Sequence, residues 1–438
     1  MHSIEELAGQ HFDAVIVGGG INGAGLARDL ALRGSISGFR LRILLLEKSF
    51  WGHGTSGRNS HLIHGGLRYL KNFDFRLVRE ALEERGRLLR LCPHTVRPLR
   101  FELTCEGLFD KLFYGAGIAL YDILAGHHRI GASSYFGQRL SYWDAASDSA
   151  ALVIDNVREA RHYGATCLWG RPVKRLWNEG VELTNGIRVK ASCVIDARGP
   201  WIQSPALRLV RGSHIVLPRL YPENYATAHF HSDGRIIFFI PWGDLHPVTL
   251  IGTTDVDHGA SADQVAISGG EIDYLRAITA RLFPHAANFP LLGSFSSLRP
   301  LISTPGRSAT STSREHSIAF NAQGVLEIQG GKYTTYRAMA EEAANKVVAK
   351  IAPEAGLGAI FPTREQPFVV ATERPRDVAA RLDFARREEG CSTLEHFMTC
   401  STNWAWQKRW TSDELRPIAA AFGGVGIDEF LSRYSPCS

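Results

Sequence analysis

The chain has 438 residues, of which 45% are hydrophobic and 21% charged, and this predicts two or three domains with a substantial core. Its net charge of +5 comes from basic residues scattered along the sequence, a pattern that argues against nucleic-acid binding but suits acidic small molecules or an anionic membrane surface. The seven cysteines form no CxxC pair, so neither a metal site nor a disulfide framework is expected.

Two stretches bear on where the protein resides. The N-terminal MHSIEELAGQ carries acidic residues, where a secretory signal would carry basic ones. The longest apolar run, residues 112–126, contains Asp122 and is too short to span a bilayer. We therefore predict a cytoplasmic protein, and the sequence leaves open a peripheral contact with the inner face of a membrane.

The segment FDAVIVGGGINGAGLARDLALRG predicts a strand, a glycine-rich turn and a helix. Residues 14–17 are apolar on both faces, as in a buried parallel strand, and the helix is expected from Gly23. The segment LRILLLEK predicts a second buried strand that ends at Glu47. Together these elements predict a βαβ unit at the start of the chain.

The turn of this unit carries Gly18, Gly20 and Gly23 in the spacing GxGxxG. Such glycines let the backbone approach a pyrophosphate at the helix N-terminus, and Glu47 falls where an acid binds the ribose of a dinucleotide. The motif alone does not separate NAD from FAD. The next segment, KSFWGHGTSGRNSHLIHGGL, is rich in Gly, Ser and Thr, which favours a flavoprotein because such a segment can lie along the ribityl chain and the flavin ring.

Further elements follow from local patterns. Residues 77–91 predict a helix that ends before Pro93, and residues 186–198 predict a strand that runs into a Gly-Pro turn. The runs HIVLPRL, GRIIFFIPW and PVTLIGTTD predict short strands of a separate antiparallel sheet. The segment GVLEIQGGKYTTYRAMAEEAANKVVAKI again predicts strand, turn and helix. From residue 352 onward the sequence is helical and polar, which indicates a small appendix.

The predicted fold is therefore α/β, with three parts. A Rossmann-like nucleotide-binding domain is built from the separated segments 1–95, 140–207 and 310–351. An antiparallel β substrate domain takes residues 96–139 and 208–309. A short helical region occupies residues 352–438.

The motifs GGGINGAG, LLLEK, LIHGGLRYL, GSHIVLPR, FFIPW, IGTTDV and GGKYTTYRAMAE together resemble the FAD-dependent glycerol-3-phosphate dehydrogenases of the D-amino-acid-oxidase-like flavoprotein superfamily. The resemblance covers about residues 12–347. It implies FAD, and non-covalent binding is expected because the sequence shows no strong signature for attachment of the flavin. It also implies oxidation of a secondary alcohol of a phosphorylated polyol, first of all sn-glycerol 3-phosphate to dihydroxyacetone phosphate, by hydride transfer to flavin N5. A quinone, oxygen or another carrier would then accept the electrons.

The resemblance also implies a set of site residues. Those expected to bind the substrate phosphate are Arg68, Tyr69 and Arg314, because guanidinium groups suit a dianion. The resemblance also gives His214, Arg299 and Lys332, and His64 is added because an imidazole has a suitable pKa range. His64 and His214 are expected to move the hydroxyl proton, and Arg299 and Lys332 are expected to stabilise the alkoxide. The residues expected to contact the cofactor are Gly18, Gly20, Asn22, Gly23, Glu47, Thr55, Ser56, Gly65, Gly66, Gly199, Gly331 and Thr334.

Each of these roles has a structural alternative. Lys332 could only neutralise charge on the cofactor, and His64 could position the flavin without moving a proton. His214, on an apolar strand, could be a core histidine, and Arg314 could be a surface residue.

The sequence also departs from the family pattern. His61 stands where a lysine is usual and is expected to mark a changed substrate or flavin contact, and Arg198 lies beside the expected flavin path. The C-terminal region is shorter than is common in the family. These departures suggest a specialised relative, and two alternatives stay open: oxidation of another sugar, cyclitol or amine, or a catalytically silent flavin-binding homologue. The oligomeric state is not predicted.

Overall fold

The computed structural model describes residues 7–103, 107–137, 139–231, 233–303 and 316–435. Its strands are β1 (His11–Val17), β2 (Ile43–Leu46), β3 (Leu62–Ile63), β4 (Val96–Leu103), β5 (Leu140–Ser147), β6 (Thr166–Leu168), β7 (Val173–Trp177), β8 (Gly180–Leu183), β9 (Arg188–Asp196), β10 (Leu207–Pro218), β11 (Ala226–Phe230), β12 (Ile236–Trp242), β13 (Val248–Gly252), β14 (Val256–Asp257), β15 (Gly293–Ile302), β16 (His316–Phe320) and β17 (Leu326–Gly330). Its helices are α1 (Ile21–Ser37), α2 (Phe75–Leu91), α3 (Leu108–Ala125), α4 (Ser149–His162), α5 (Gly269–Leu282), α6 (Tyr336–Ile351), α7 (Val378–Phe384), α8 (Leu394–His396), α9 (Ser412–Ala420) and α10 (Ile427–Tyr434). The predicted α/β class is confirmed.

The first sheet has the strand order β16-β17-β9-β1-β2-β6, and the β7–β8 hairpin joins it at β9. Strands β17, β9, β1, β2 and β6 run parallel, and α1 packs against α4 and α6 beside them. The predicted βαβ unit is present as β1, α1 and β2. The helix begins at Ile21 rather than at Gly23, because Gly20 already forms its N-cap with an extended backbone.

The second sheet has the order β14-β10-β13-β12-β11-β4-β5-β3, with β15 paired to the other side of β10. Its pairs are antiparallel except that β11 and β4 run parallel. The three runs expected to form an antiparallel sheet lie here as β10, β12 and β13. Strands β3 and β5 also pair in this sheet, although they come from segments assigned to the nucleotide-binding domain; the domain boundaries stay a prediction.

The C-terminal region is more than a polar appendix. Phe397, Met398, Trp404 and Trp406 are buried and belong to the same apolar core as α1 and α4. Much of the region folds as single turns, including π-type turns at residues 385–389 and 397–401, so its buried side chains follow no simple helical period. That is why the sequence pattern did not reveal this core. In the ranges given above, no helix is both long enough and apolar enough to cross a bilayer.

Candidate active site

A cavity of about 760 Å³ lies where the loops after β1, β2, β9 and β17 meet the second sheet. Ligands of open parallel sheets bind at this carboxyl edge. The predicted site residues that line the cavity are Gly18, Gly20, Asn22, Glu47, Thr55, Ser56, His64, Gly66, Tyr69, Gly199, His214, Arg299, Gly331, Lys332 and Thr334. Gly23 and Gly65 do not line it.

In the glycine-rich turn, the backbone lies so close to neighbouring backbone atoms that a residue with a Cβ atom would not fit. Gly18 has a φ of +114°, and a Cβ there would lie 2.5 Å from the carbonyl oxygen of Ala197. A Cβ on Gly23 would lie 2.0 Å from the carbonyl oxygen of Gly18. Gly23 therefore serves the close packing of α1 on the turn, which opens the N-terminus of α1 toward the cavity.

Glu47 is tied to this turn. Its carboxyl group accepts a hydrogen bond from the backbone N–H of Gly19 at 2.6 Å and another from that of Ser49 at 2.8 Å. Burial raises the pKa of Glu47, although the two backbone hydrogen bonds oppose the shift. The two hydrogen bonds hold the carboxyl group in place, and each of its oxygens can accept a further hydrogen bond; binding of ribose by Glu47 stays a prediction.

The loop after β2 crosses from the first sheet to the second. Ser56 Oγ accepts from the backbone N–H of Ile21 at 2.9 Å, which fixes the loop to the start of α1. Thr55 Oγ1 donates to the carbonyl oxygen of Leu298 on β15 at 2.7 Å. The segment KSFWGHGTSGRNS thus spans the cavity between the two sheets, as expected for a segment that follows a long cofactor.

The stretch HLIHGGLRYL forms one wall. The backbone N–H of His64 donates to Thr334 Oγ1 at 3.1 Å, and Thr334 donates back to the carbonyl oxygen of His64 at 3.2 Å. Gly65 faces away from the cavity, because its N–H donates to Tyr121 Oη at 2.8 Å and a Cβ would meet that oxygen at 2.5 Å. Gly65 therefore lies behind the cavity wall and not at the cofactor, where it was predicted.

Lys332 lies in the turn after β17, with its side chain buried. Its Nζ is 3.9 Å from the centre of the Tyr69 ring, a cation–π distance. Gly66, with a φ of +80°, brings the HGGLRYL stretch against these two side chains. Arg68 lies in the 3-10 turn Leu67–Asn72, but its side chain lies outside the described structure. Arg314 lies outside the described residues.

Arg299 and His214 come from neighbouring strands, β15 and β10. Arg299 forms an ion pair with Asp255 and donates to Thr253 Oγ1 at 2.7 Å and to the carbonyl oxygen of Thr254 at 3.1 Å. Sequence reasoning missed Asp255, although an acid directly after a strand in the motif IGTTDV could have drawn notice. Because Asp255 pairs with Arg299 in the cavity wall, it fixes the direction of the guanidinium group.

His214 is buried, and its Nε2 lies 2.9 Å from Ser60 Oγ. Its ring stacks on Phe295 with centres 5.1 Å apart. Burial, with smaller effects of Arg299 and His61, holds the pKa of His214 well below its usual value. The imidazole is therefore neutral at physiological pH in the protein without cofactor or substrate.

Two sequence departures have structural explanations. His61 does not line the cavity; it is buried, its ring centre is 5.0 Å from that of Trp242, and its Nδ1 accepts from the backbone N–H of Ser149. The expected change of substrate or flavin contact at His61 is therefore not a direct one. Arg198 does line the cavity and donates to Asp196 at 2.6 and 2.9 Å, so a carboxylate neutralises its charge.

A glycine-rich turn at a helix N-terminus, an acid at the end of the next strand and a cavity that continues to basic side chains are typical of an oxidoreductase that binds an adenine dinucleotide. The family model described as FAD dependent oxidoreductase (DAO) matches residues 13–344, and the chain belongs to this family. Its cofactor is therefore FAD, and the glycine turn, Glu47 and the long loop after β2 fit that group.

Named relatives are similar over most of the chain. The glycerol-3-phosphate dehydrogenase of Pseudomonas aeruginosa is 37% identical over 369 residues, which cover 76% of this chain and 70% of the relative. The D-erythritol 1-phosphate dehydrogenase of Brucella abortus is 35% identical over 376 residues, 76% of this chain and 73% of the relative. The structure of the glycerol-3-phosphate dehydrogenase from Bacillus halodurans complexed with FAD aligns with a TM-score of 0.69 at 21% identity over 98% of this chain and 95% of that one, which shows the shared fold.

Proposed function

We propose that this protein oxidises the secondary alcohol of a phosphorylated polyol, with sn-glycerol 3-phosphate the first substrate and dihydroxyacetone phosphate its product. The main support is that one cavity is lined both by the glycine-rich turn and by five of the predicted site residues, His64, Tyr69, His214, Arg299 and Lys332. A protein that only bound flavin would have no need of this cluster. The named dehydrogenases at 35% and 37% identity support the same assignment.

The chemistry that bound FAD supplies is acceptance of a hydride at its flavin ring. The protein must remove the hydroxyl proton and stabilise the negative charge that develops on oxygen. His214 is neutral and is the proposed proton acceptor, with His64 as the second imidazole of the site. Lys332 and Arg299 are the proposed cations for the oxygen.

The phosphate is the part of the substrate that we assign to Arg68, Tyr69 and Arg314. A dianion requires charge-assisted donors, and planar guanidinium groups bind phosphate oxygens in pairs. Because this assignment concerns the phosphate alone, it leaves the polyol chain free to differ. D-erythritol 1-phosphate is therefore the second candidate substrate, supported by the relative that bears its name.

The test is anaerobic reduction of the holoenzyme, followed by loss of flavin absorbance. The panel is glycerol 3-phosphate, erythritol phosphate, glycerol, erythritol and a small primary amine. We expect fast bleaching with one or both phosphorylated polyols and slow or no bleaching with the unphosphorylated ones. Bleaching by glycerol or by the amine alone would refute the proposal, and bleaching by no compound would favour a catalytically silent homologue.

We also propose a peripheral contact with an anionic lipid surface, where a membrane quinone would accept the electrons. Large apolar side chains are exposed around the start of α2 and along α3, namely Phe73, Phe75, Leu112, Phe113 and Ile123. The cations Arg76 and Lys111 directly adjoin them in the sequence, and an apolar face with flanking cations suits such a surface. Co-sedimentation of the holoenzyme with anionic vesicles, but not with neutral ones, is the expected result. Equal recovery in the supernatant with both would refute the contact.

A further inference from the structure

The C-terminal region beyond the family match, residues 345–438, reaches the wall of the cofactor cavity. Two cavity-lining residues of the loop after β2, His53 and Arg58, are both in contact with it. The loop carrying them is the one that Ser56 ties to the start of α1. The C-terminal region can therefore act on the cofactor through the position and the charge of His53 and Arg58.

Arg58 is held by a chain of hydrogen bonds. Its Nη2 donates to Tyr434 Oη at 3.1 Å, and Tyr434 Oη donates to Glu395 Oε1 at 2.6 Å. Glu395 also accepts from Arg433 Nη1 at 3.1 Å. The tyrosine at the end of α10 thus links a carboxylate of α8 to a cation in the cavity wall.

The protonation states of Glu395 and Tyr434 follow from their surroundings. Burial alone would raise the pKa of Glu395, but the Tyr434 hydrogen bond and the charge of Arg433 lower it overall. Burial chiefly raises the pKa of Tyr434, so its hydroxyl stays protonated. The Tyr434 hydroxyl therefore donates its proton to the Glu395 carboxylate, and it accepts a hydrogen bond from Arg58 through an oxygen lone pair.

His53 completes the arrangement. Arg58 Nη2 lies 3.3 Å from His53 Nε2, and a guanidinium can only donate, so Nε2 is the acceptor and the ring proton is on Nδ1. That nitrogen faces Cys400 Sγ at 4.0 Å. Burial, then the charge of Arg58, lower the pKa of His53 to about 3. The imidazole is neutral and does not compete with Arg58 for an anion.

Three other cations that line the cavity have carboxylate partners. Lys48 pairs with Asp263, Arg198 with Asp196 and Arg299 with Asp255. In the parts of the chain that the structure describes, Arg58 has hydrogen bonds to neutral groups and no ion pair. Arg58 thus lines a cavity that takes a cofactor with an anionic diphosphate, and no carboxylate of the described residues forms an ion pair with it.

We propose that Arg58 binds the FAD diphosphate and that Tyr434, held by Glu395, is a positioning residue for Arg58. The C-terminal region is then part of the cofactor site, although its residues up to 435, as far as the structure describes them, do not line the cavity. This inference rests on the family's cofactor and not on the identity of the substrate. Failure of the proposed alcohol oxidation would leave it intact, because its test measures cofactor binding.

The test compares FAD dissociation constants of the full-length protein, measured by the fluorescence of flavin released on dilution of the holoenzyme. The variants are Arg58→Gln, Tyr434→Phe and the double variant. Because a hydrogen bond or ion contact to a charged group is lost, we expect Arg58→Gln to raise the dissociation constant about tenfold or more. Tyr434→Phe should raise it about threefold, and the double variant should resemble Arg58→Gln, since coupled residues are not additive.

The matched control is Tyr221→Phe, which removes a hydroxyl that donates to the carbonyl oxygens of Tyr225 and Phe239 at the second sheet. It should lower the melting temperature without changing FAD affinity. Arg58→Lys should restore part of the affinity, and Glu395→Gln replaces Tyr434→Phe if that variant does not fold. Unchanged affinity in Arg58→Gln, strictly additive effects, or a changed flavin potential with unchanged affinity would each overturn the proposal.

Discussion

The geometry of the glycine-rich turn predicts that Gly23→Ala lowers both the stability of the protein and its FAD content. The added Cβ would lie 2.0 Å from the carbonyl oxygen of Gly18. Cβ atoms essentially never approach closer than 3.0 Å, so α1 and the turn must separate by about 1 Å. The turn cannot yield alone, because the Gly18 N–H donates to the carbonyl oxygen of Leu46 at 2.8 Å.

A forced shift of this kind in a packed region costs about 1–3 kcal/mol of the free energy of unfolding. It also moves the N-terminus of α1, which is expected to face the cofactor diphosphate. We therefore expect a lower melting temperature of the holoenzyme and a lower FAD content per chain after purification. Both are measured on the same preparation, by thermal unfolding and by flavin absorbance after denaturation.

The control is Gly117→Ala in the interior of α3, where a Cβ would meet no atom within 4 Å. Alanine is favoured over glycine inside helices by about 0.5–1 kcal/mol, so this variant should be as stable as the wild type or more so, with full FAD content. If Gly23→Ala retained both wild-type stability and FAD content, the argument from the turn's close contact would be refuted.

Two further predictions concern Lys332 and His61. Lys332→Met should slow flavin reduction by about 100-fold while FAD stays bound, since one oxyanion-stabilising group is lost; stopped-flow reduction measures this, and an unchanged rate would leave Lys332 with no role in the chemistry. Burial lowers the pKa of His61 from 6.5 to about 4, so an unfolded chain binds this proton more readily, and acidification to pH 5 should cost the fold about 2 kcal/mol at this residue. His61→Asn, which tolerates the left-handed backbone at φ 53°, should therefore lose less stability than the wild type between pH 7 and 5 in urea unfolding. Equal losses would show that His61 is not the source.

The local parts of the structure could be predicted from the sequence. The strand β1, the turn and α1 are contiguous, and their glycine spacing and apolar pattern carry the information within some 25 residues. The start of α1 at Ile21 was missed because a glycine N-cap gives no side-chain signal. The antiparallel strands β10, β12 and β13 were also visible in short β-branched and aromatic runs.

Long-range contacts could not be predicted in this way. His61 was a candidate for the site because of its neighbours in the sequence, yet it packs on Trp242, which in turn stacks with Trp406 from the C-terminal region. The partnership of Arg58 with Tyr434 spans 376 positions. Neither pairing leaves a local pattern, because each residue alone could equally be a surface or a core residue.

The stretch HLIHGGLRYL is held in place by residues that pack on the side facing away from the cavity. Gly65 contacts Tyr121, whose hydroxyl donates to Asp144, and Asp144 in turn forms a buried ion pair with Arg85 of α2. A buried ion pair is costly unless hydrogen bonds offset the loss of water. Here the Tyr121 hydroxyl and the Gly65 N–H both donate to Asp144, so the groups that fix the backbone at Gly65 also support the carboxylate. The apolar residues of the stretch lie in the core, while Tyr69 and Lys332 meet on the cavity side. A wall with little freedom to relax is the arrangement that electrostatic stabilisation of a developing charge requires, because the cations need not move when the charge appears.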